Sequence, residues 1–146
     1  LITERLEPGL NIIFVGFNPS IRSYELGFNY AGRSNRFYKV LHLSGLTDRL
    51  YTPEQSPQLF MDYGYGFTNI VARPTERADQ LTASEYKQGQ ILLQAKLEKY
   101  RPRIACFVGK GVYLRYSQRR KADWGYQSAT VIPRMQEFVA PSTSGL

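Results

Sequence analysis

Gly16-Phe17-Asn18-Pro19-Ser20 sets a carboxamide between two backbone-restricting neighbourhoods, directly after an apolar run. A carboxamide offers both a donor and an acceptor, yet it is not a useful general base. An Asn before Pro also serves as an ordinary turn residue. The segment lacks the glycine spacing of a dinucleotide fingerprint and the Gly-Lys-Ser/Thr of a phosphate loop. Two residue types occur once each, as Cys106 and His42. They allow no intramolecular disulfide, no Cys/His zinc site and no four-cysteine cluster. A zinc deaminase is thereby excluded. A Ser-His-Asp triad would have to use His42, which sits in Val40-Leu41-His42-Leu43 and reads as a helix residue with no catalytic role. Cys106 reads as a buried strand residue, not a nucleophile.

Charge and rings say more about partners. The chain has 146 residues, with 19 Lys and Arg against 12 Asp and Glu, a net charge of +7. Such an excess on one small domain favours a polyanion. Aromatics make up 14%, including 11 Tyr and 8 Phe. Rings stack on bases while Lys and Arg meet phosphates, so the combination suits a nucleic acid. The length supports one domain with one core, residues 1–146. No apolar run approaches the roughly 18 residues of a membrane span. No signal peptide opens the chain. The expectation is therefore an intracellular, monomeric protein with no membrane partner, in the cytoplasm or nucleoid if bacterial and the nucleus if eukaryotic.

The elements that must hold these residues alternate in type. Residues 10–16 (LNIIFVG) read as a buried strand, and residues 17–20 as the loop leaving it. Residues 34–43 read as a helix capped at Ser34, with Phe37, Val40 and Leu41 inward and Gly45 beyond its end. Residues 51–62 read as a loop because of Pro53 and Pro57. Residues 65–71 form a second strand, left through Arg73-Pro74-Thr75. A long helix runs from 84 to 100, capped by Thr82 or Ser84, with Tyr86, Ile91, Leu92, Ala95 and Leu97 as its apolar face. Residues 104–109 are a third strand, followed by a short helix to Tyr116. Residues 129–133 and 137–140 read as the last strands. This order predicts an α/β fold, a single three-layer domain with a mainly parallel central sheet and helices on both faces. Ligands in such sheets bind beyond the carboxyl ends of the strands. The loops 17–20, 73–75 and 141–146 leave those ends.

Taken in series, the motifs resemble the uracil-DNA glycosylase superfamily, most closely its mismatch-specific uracil/thymine branch. Gly16-Phe17-Asn18-Pro19-Ser20 is similar to that branch's Gly-Ile-Asn-Pro-Gly. Gly27-Phe28-Asn29-Tyr30 is similar to a second motif ending in an aromatic. Ser34-Asn35-Arg36-Phe37-Tyr38-Lys39 is similar to Asn-Arg/His-Phe-Trp-Lys. Gly66-Phe67-Thr68-Asn69-Ile70-Val71-Ala72-Arg73-Pro74-Thr75 resembles the next block. Lys99-Tyr100-Arg101-Pro102-Arg103-Ile104-Ala105 and Val108-Gly109-Lys110 also match. Pro141-Ser142-Thr143-Ser144-Gly145-Leu146 resembles the closing wedge loop. The helix that follows this loop in the family has no counterpart within the sequence.

The resemblance implies a DNA repair enzyme that flips uracil out and hydrolyses its N-glycosidic bond, with no cofactor and no metal. Its substrate would be DNA containing uracil or mismatched bases. Asn18 would be catalytic, its amide oxygen holding a water near the anomeric carbon. Since an amide is a poor base, the reaction would be driven by departure of the base as an anion, stabilised by preorganised donors. Backbone N–H groups around Phe17 and Ser20 are suitable. Asn69 would read O4 and N3–H of uracil, and Tyr30 would stack on the flipped base. Ser23 and Thr75 match further pocket positions. Leu146 would fill the gap left by the flipped nucleotide, with Ser142, Ser144, Gly145 and Lys110 on the DNA backbone. Arg33, Arg36, Arg73 and Arg119-Arg120-Lys121 could line the same side.

The sequence departs from the pattern at Phe17, Ser20, Tyr38 and Ala72, where relatives carry Ile, Gly, Trp and Asp or Glu. Ser20 narrows room for a thymine methyl. No Asp stands beside Asn18, which implies slow turnover. Glu25, the nearest carboxylate in sequence, reads as a solvated loop charge. Two alternatives stay open: a non-catalytic reader of nucleic acid or nucleobase on the same fold, and a nucleotide-binding domain using residues 17–20 for phosphate.

Overall fold

In the computed structural model, residues 4–145 are described. Their centre is a five-stranded sheet. Strand β1 spans Ile12–Gly16, β2 Tyr65–Asn69, β3 Ile104–Val108, β4 Gly125–Tyr126 and β5 Gln136–Ala140. The order across the sheet is β2-β1-β3-β5-β4. The first four are mutually parallel and β4 is antiparallel to β5. The helices are α1 (Ile21–Leu26), α2 (Phe37–Leu43), α3 (Ser56–Tyr63), α4 (Ala83–Tyr100) and α5 (Lys110–Ser117). No helix among the described residues is long and apolar enough to cross a membrane.

Alternation along the strands divides the core into two layers. Ile13, Val15, Ala105 and Phe107 face α4 and α5, meeting Leu93, Leu97, Val112, Tyr113 and Tyr116. Ile12, Phe14, Cys106 and Val108 face the other way, onto Phe37, Tyr38 and Leu41 of α2 and Leu59 of α3. This second layer is aromatic. The Phe14 ring meets Phe37 and Tyr65 edge-on at 5.1 and 5.7 Å. Helices therefore cover both faces, as the alternation of elements predicts.

Four local expectations are corrected. Residues 51–62 are not loop: α3 occupies Ser56–Tyr63, preceded by a 3₁₀ turn over Pro53–Gln55. Both prolines stand in first turns, where the missing N–H has no helical partner in any case. Residues 129–133 are not a strand; they form bends, and the Val131 N–H donates to Glu137 Oε2 at 2.9 Å. The inward face of α4 carries Tyr86, Gly89, Gln90, Leu93 and Leu97, whereas Ile91 and Leu92 are 62% and 61% exposed. Ala95 is exposed too. In α2, Val40 is exposed and the cap is not Ser34: the helix begins at Phe37, whose N–H donates to Asn35 Oδ1. Helix α1 and the short β4 are additional to the reading, and β2 stops at Asn69 rather than at 71. Thr82 caps α4 through a reciprocal pair with Glu85. Cys106 is buried in β3, and burial pushes its thiol up to about 12. His42 is exposed on α2.

Candidate active site

Because β1, β2, β3 and β5 are parallel, their carboxyl ends share one edge of the sheet. The loops leaving β1, β2 and β5 enclose a cavity of about 550 Å³ there. Its wall includes Phe17, Asn18, Ser20, Ser23, Tyr30, Asn69, Thr75, Ser142, Ser144 and Gly145. The structure thus brings together these residues singled out from sequence. Leu146 lies outside the described residues. Lys110 does not line this cavity.

Asn18 is locked by the loop after β2. That loop continues the β1–β2 ladder through Ile70 N–H to Gly16 O, Val71 N–H to Phe17 O and Thr75 N–H to Pro19 O. Asn18 Nδ2 donates to the Arg73 carbonyl at 2.7 Å and to Thr75 Oγ1 at 2.8 Å. A carbonyl can only accept, and the Thr75 hydroxyl already donates to Arg77 O at 2.7 Å. These partners fix which end of the amide is nitrogen. Oδ1 is left at the cavity with no hydrogen bond among the described residues. Arg73 is held in turn by a two-point pair with Glu85, at 2.8 and 2.9 Å. This pair lowers the Glu85 carboxyl to about 2. The Arg73 guanidinium thus braces the loop through Glu85 and the Gln80 carbonyl while its side chain stays half exposed.

Asn69 ends β2 opposite Gly16 of β1. A Cβ on Gly16 would stand 2.8 Å from Asn69 Oδ1 and 3.2 Å from the Tyr30 hydroxyl. Only glycine leaves room for both groups. Tyr30 takes the left-handed conformation, φ 53°, uncommon for a bulky residue and a marker of local constraint. Its ring stacks on Phe37 at 4.0 Å and 11°. Burial, then Cys106 and Tyr38, raise its phenol well above the ordinary value, so it stays neutral. The ring is half-buried and borders the cavity, leaving surface for a flat ligand.

The serines near α1 are largely occupied. Ser20 caps the helix, accepting from Ser23 N–H and donating to Ser23 Oγ, both at 3.0 Å. Ser23 Oγ accepts from Ala31 N–H at 2.9 Å. Together they tie the Tyr30 loop to the Asn18 loop. The Phe17 side chain turns away, 6.2 Å from the Tyr86 ring and against Gly111; its backbone lines the cavity. The segment 141–145 is pinned to the start of α2. Arg36 N–H donates to Thr143 O at 2.9 Å, and Arg36 Nη2 to Ser144 O at 3.1 Å. Gly145 packs so closely on Ser34 that a Cβ would lie 2.4 Å from its side chain.

Sequence reasoning passed over Asn29, Asn35, Glu76 and Thr143 on the same wall. The Asn29 and Thr143 signal is structural, since each has a buried polar atom without a partner, Nδ2 and Oγ1. A separate depression of about 570 Å³ along α5 is lined by Lys110, Arg119, Arg120 and Lys121, with Asp123 among its other residues. The Lys110 ammonium sits 4.1 Å over the Trp124 ring. Arg119 is partly structural, donating to Ala129 O and the Tyr113 hydroxyl. Glu25 is an exposed residue of α1. Among the described residues no three His, Cys, Asp or Glu side chains cluster as a metal would require.

Residues 4–146 match the family model described as the uracil DNA glycosylase superfamily, and the chain belongs to that superfamily.

Proposed function

We propose that the protein is a monofunctional glycosylase of the mismatch-specific branch, which excises uracil from DNA and leaves an abasic site. The observation that carries this reading is the Asn18 amide, held by Arg73 O and Thr75 Oγ1 so that Oδ1 faces the cavity as an acceptor. That oxygen holds a water by its proton, with the water oxygen toward C1′. The N-glycosidic bond breaks and its electron pair passes to N1 of the base. The sugar becomes oxocarbenium-like, and the water oxygen then bonds C1′ and releases its proton to solvent. Asn18 orients and does not deprotonate, because an amide has no useful basicity. Most of the barrier is then lowered by donors facing the departing anion.

Tyr30 supplies a stacking face, and Asn69 at the strand end reads the edge of the base. The surplus of positive charge provides a salt-sensitive grip on phosphates. Ser142, Ser144 and Gly145, on the cavity wall, serve backbone contacts together with Lys110, and Leu146, outside the described residues, is the proposed wedge. The test is incubation with a duplex bearing one G·U pair, followed by alkali. Strand scission at the uracil in the wild type, absent with Asn18→Ala, supports the reading. Binding without scission in both proteins would make it a non-catalytic reader.

A further inference from the structure

Positive charge is gathered away from the cavity. The only charged residues on the cavity wall are Glu76 and Arg77, one of each sign. Two depressions along α5, of about 570 and 560 Å³, share Leu114, Arg119 and Arg120 and so form one face. Its lining holds Lys87, Lys110, Arg115, Arg119, Arg120 and Lys121 against one carboxylate, Asp123. Among the described residues none of these six cations stands in an ion pair. Lys110 and Arg115 lie over the Trp124 and Tyr86 rings, at 4.1 and 4.3 Å, and Arg119 donates to Ala129 O and the Tyr113 hydroxyl. Lys87, Arg120 and Lys121 are exposed, and their side chains hold no other group among the described residues. Like charges gathered without counter-charges repel one another, and a polyanion relieves that repulsion.

The face and the cavity belong to different sides of the sheet. Helices α4 and α5 cover the side of Leu93 and Val112. The cavity takes its wall from the strand-end loops and from the α1–α2 connection, next to Phe37 and Tyr38. No residue lines both. Lys110, the first residue of α5, marks the boundary of the face toward the strand ends.

We propose that the α4–α5 face is a second DNA-binding surface, which holds a duplex segment other than the one whose base enters the cavity. DNA is the polyanion that a member of this superfamily meets. Helix α5 is eight residues long, about 12 Å, a span over which a duplex presents roughly seven phosphate charges. Several of the six cations can therefore be neutralised at once. Such contacts go to phosphates, read no sequence and weaken with salt. Two surfaces on one chain let it take hold of a new segment before leaving the old one, since the second contact is made at the high effective concentration of a tethered site.

The experiment fixes an undamaged duplex on beads, adds protein, and measures retention of a second, labelled undamaged duplex. It compares the wild type with Lys87→Glu, Arg120→Glu and Lys121→Glu combined, and with the same three positions changed to Gln. The wild type should retain the labelled duplex. The Glu variant should retain about tenfold less, and the Gln variant should fall between. Melting temperature and single-turnover excision from a short G·U duplex at saturating enzyme should stay unchanged in both. Equal retention by all three proteins, or none by the wild type, overturns the proposal. A bridged complex that sediments with two protein chains also overturns it, since each chain could then use one surface. Loss of excision together with retention means one continuous DNA track through the cavity and rejects a separate surface. Release of the labelled duplex by polyglutamate but not by unlabelled duplex assigns the face to an acidic protein and rejects DNA. Retention needs no excision, so a wild type that bridges duplexes but excises no uracil overturns the glycosylase reading alone.

Discussion

On the α5 side of the sheet, Glu137 is fully buried and both its oxygens are bonded. Oε1 accepts from the Tyr113 hydroxyl at 2.6 Å and Oε2 from Val131 N–H at 2.9 Å. The same Tyr113 hydroxyl accepts from Arg119 at 3.0 Å. At the carboxyl edge the pattern is reversed. Asn18 Oδ1, Asn29 Nδ2 and Thr143 Oγ1 have no partner among the described residues. A closed network ties loop 118–135 to the core and asks for nothing more. Of these, Asn29 Nδ2 and Thr143 Oγ1 are sealed from solvent, and the Asn18 carboxamide is the group left for a ligand at the cavity wall. Tyr116 marks the limit of the contrast: its hydroxyl is also buried and unpaired, but within the core rather than at a cavity.

Substitutions in the two regions should therefore separate activity from stability. Asn18→Ala should have the largest effect, lowering single-turnover excision by about 100- to 1,000-fold with DNA binding retained. A gel-shift assay beside the kinetics checks both halves. Glu137→Ala should do the opposite. It takes the acceptor away from the Tyr113 O–H and the Val131 N–H, costing about 2–4 kcal/mol of stability in denaturant melts. Excision per folded molecule should stay near wild type. Complete loss of excision in a well-folded Glu137→Ala would collapse the distinction between the regions.

Asn69→Ala tests whether the strand-end amide also serves a ligand. Its transition-state cost should be about 1–3 kcal/mol on uracil, measured as kcat/KM. A drop in stability alone would place it with the closed network. Thr75→Val keeps the shape but removes one acceptor from Asn18 Nδ2. The remaining bond to Arg73 O should limit the loss to about 1 kcal/mol, seen in kcat more than in KM. The smallest effect concerns the Arg73–Glu85 pair that braces the same loop. The Glu85 carboxyl is held at about 2, below the 4.5 of an unfolded chain. Its contribution is fully present above pH 4.5 and is lost as pH falls through about 2. Glu85→Gln should flatten the acid limb of stability in that window and little else, because exposed pairs are weak.

Strands β1 and β3 were legible because they are short, apolar, rich in β-branched residues and closed by Gly16 and Gly109. The loops 17–20, 73–75 and 141–146 were legible because each follows an apolar strand segment, whereas Asn69 and Tyr30 were legible only through the family resemblance. Helix α1 went unread although Ser20 caps it and Gly27 ends it, since six residues carry no clear apolar period. Helix α3 was hidden by Pro53 and Pro57, which read as breakers where they are first-turn residues. The face of α4 was misread because Ile91 and Leu92 are the more apolar side chains. Its orientation is set instead by Gly89, whose backbone packs against the Ile70 carbonyl, a contact between distant segments. The unpaired Nδ2 of Asn29 was invisible for a related reason. No spacing rule shows that a polar atom lacks a partner; only the assembled cavity does.

The bond from Arg36 to Ser144 joins residues 108 positions apart. Synthesis runs from the amino end, so β1, β2, β3 and β5 are all made before that bond can form. A nascent chain can complete its sheet and cover both faces while one wall of its cavity is still missing. A chain nicked after Ala140 would keep the same buried core. Cellular surveillance that recognises exposed apolar surface would find nothing to reject in it. The core and the cavity are therefore completed at different times: burial of apolar surface ends with β5, and closure of the cavity wall waits on the five residues after it.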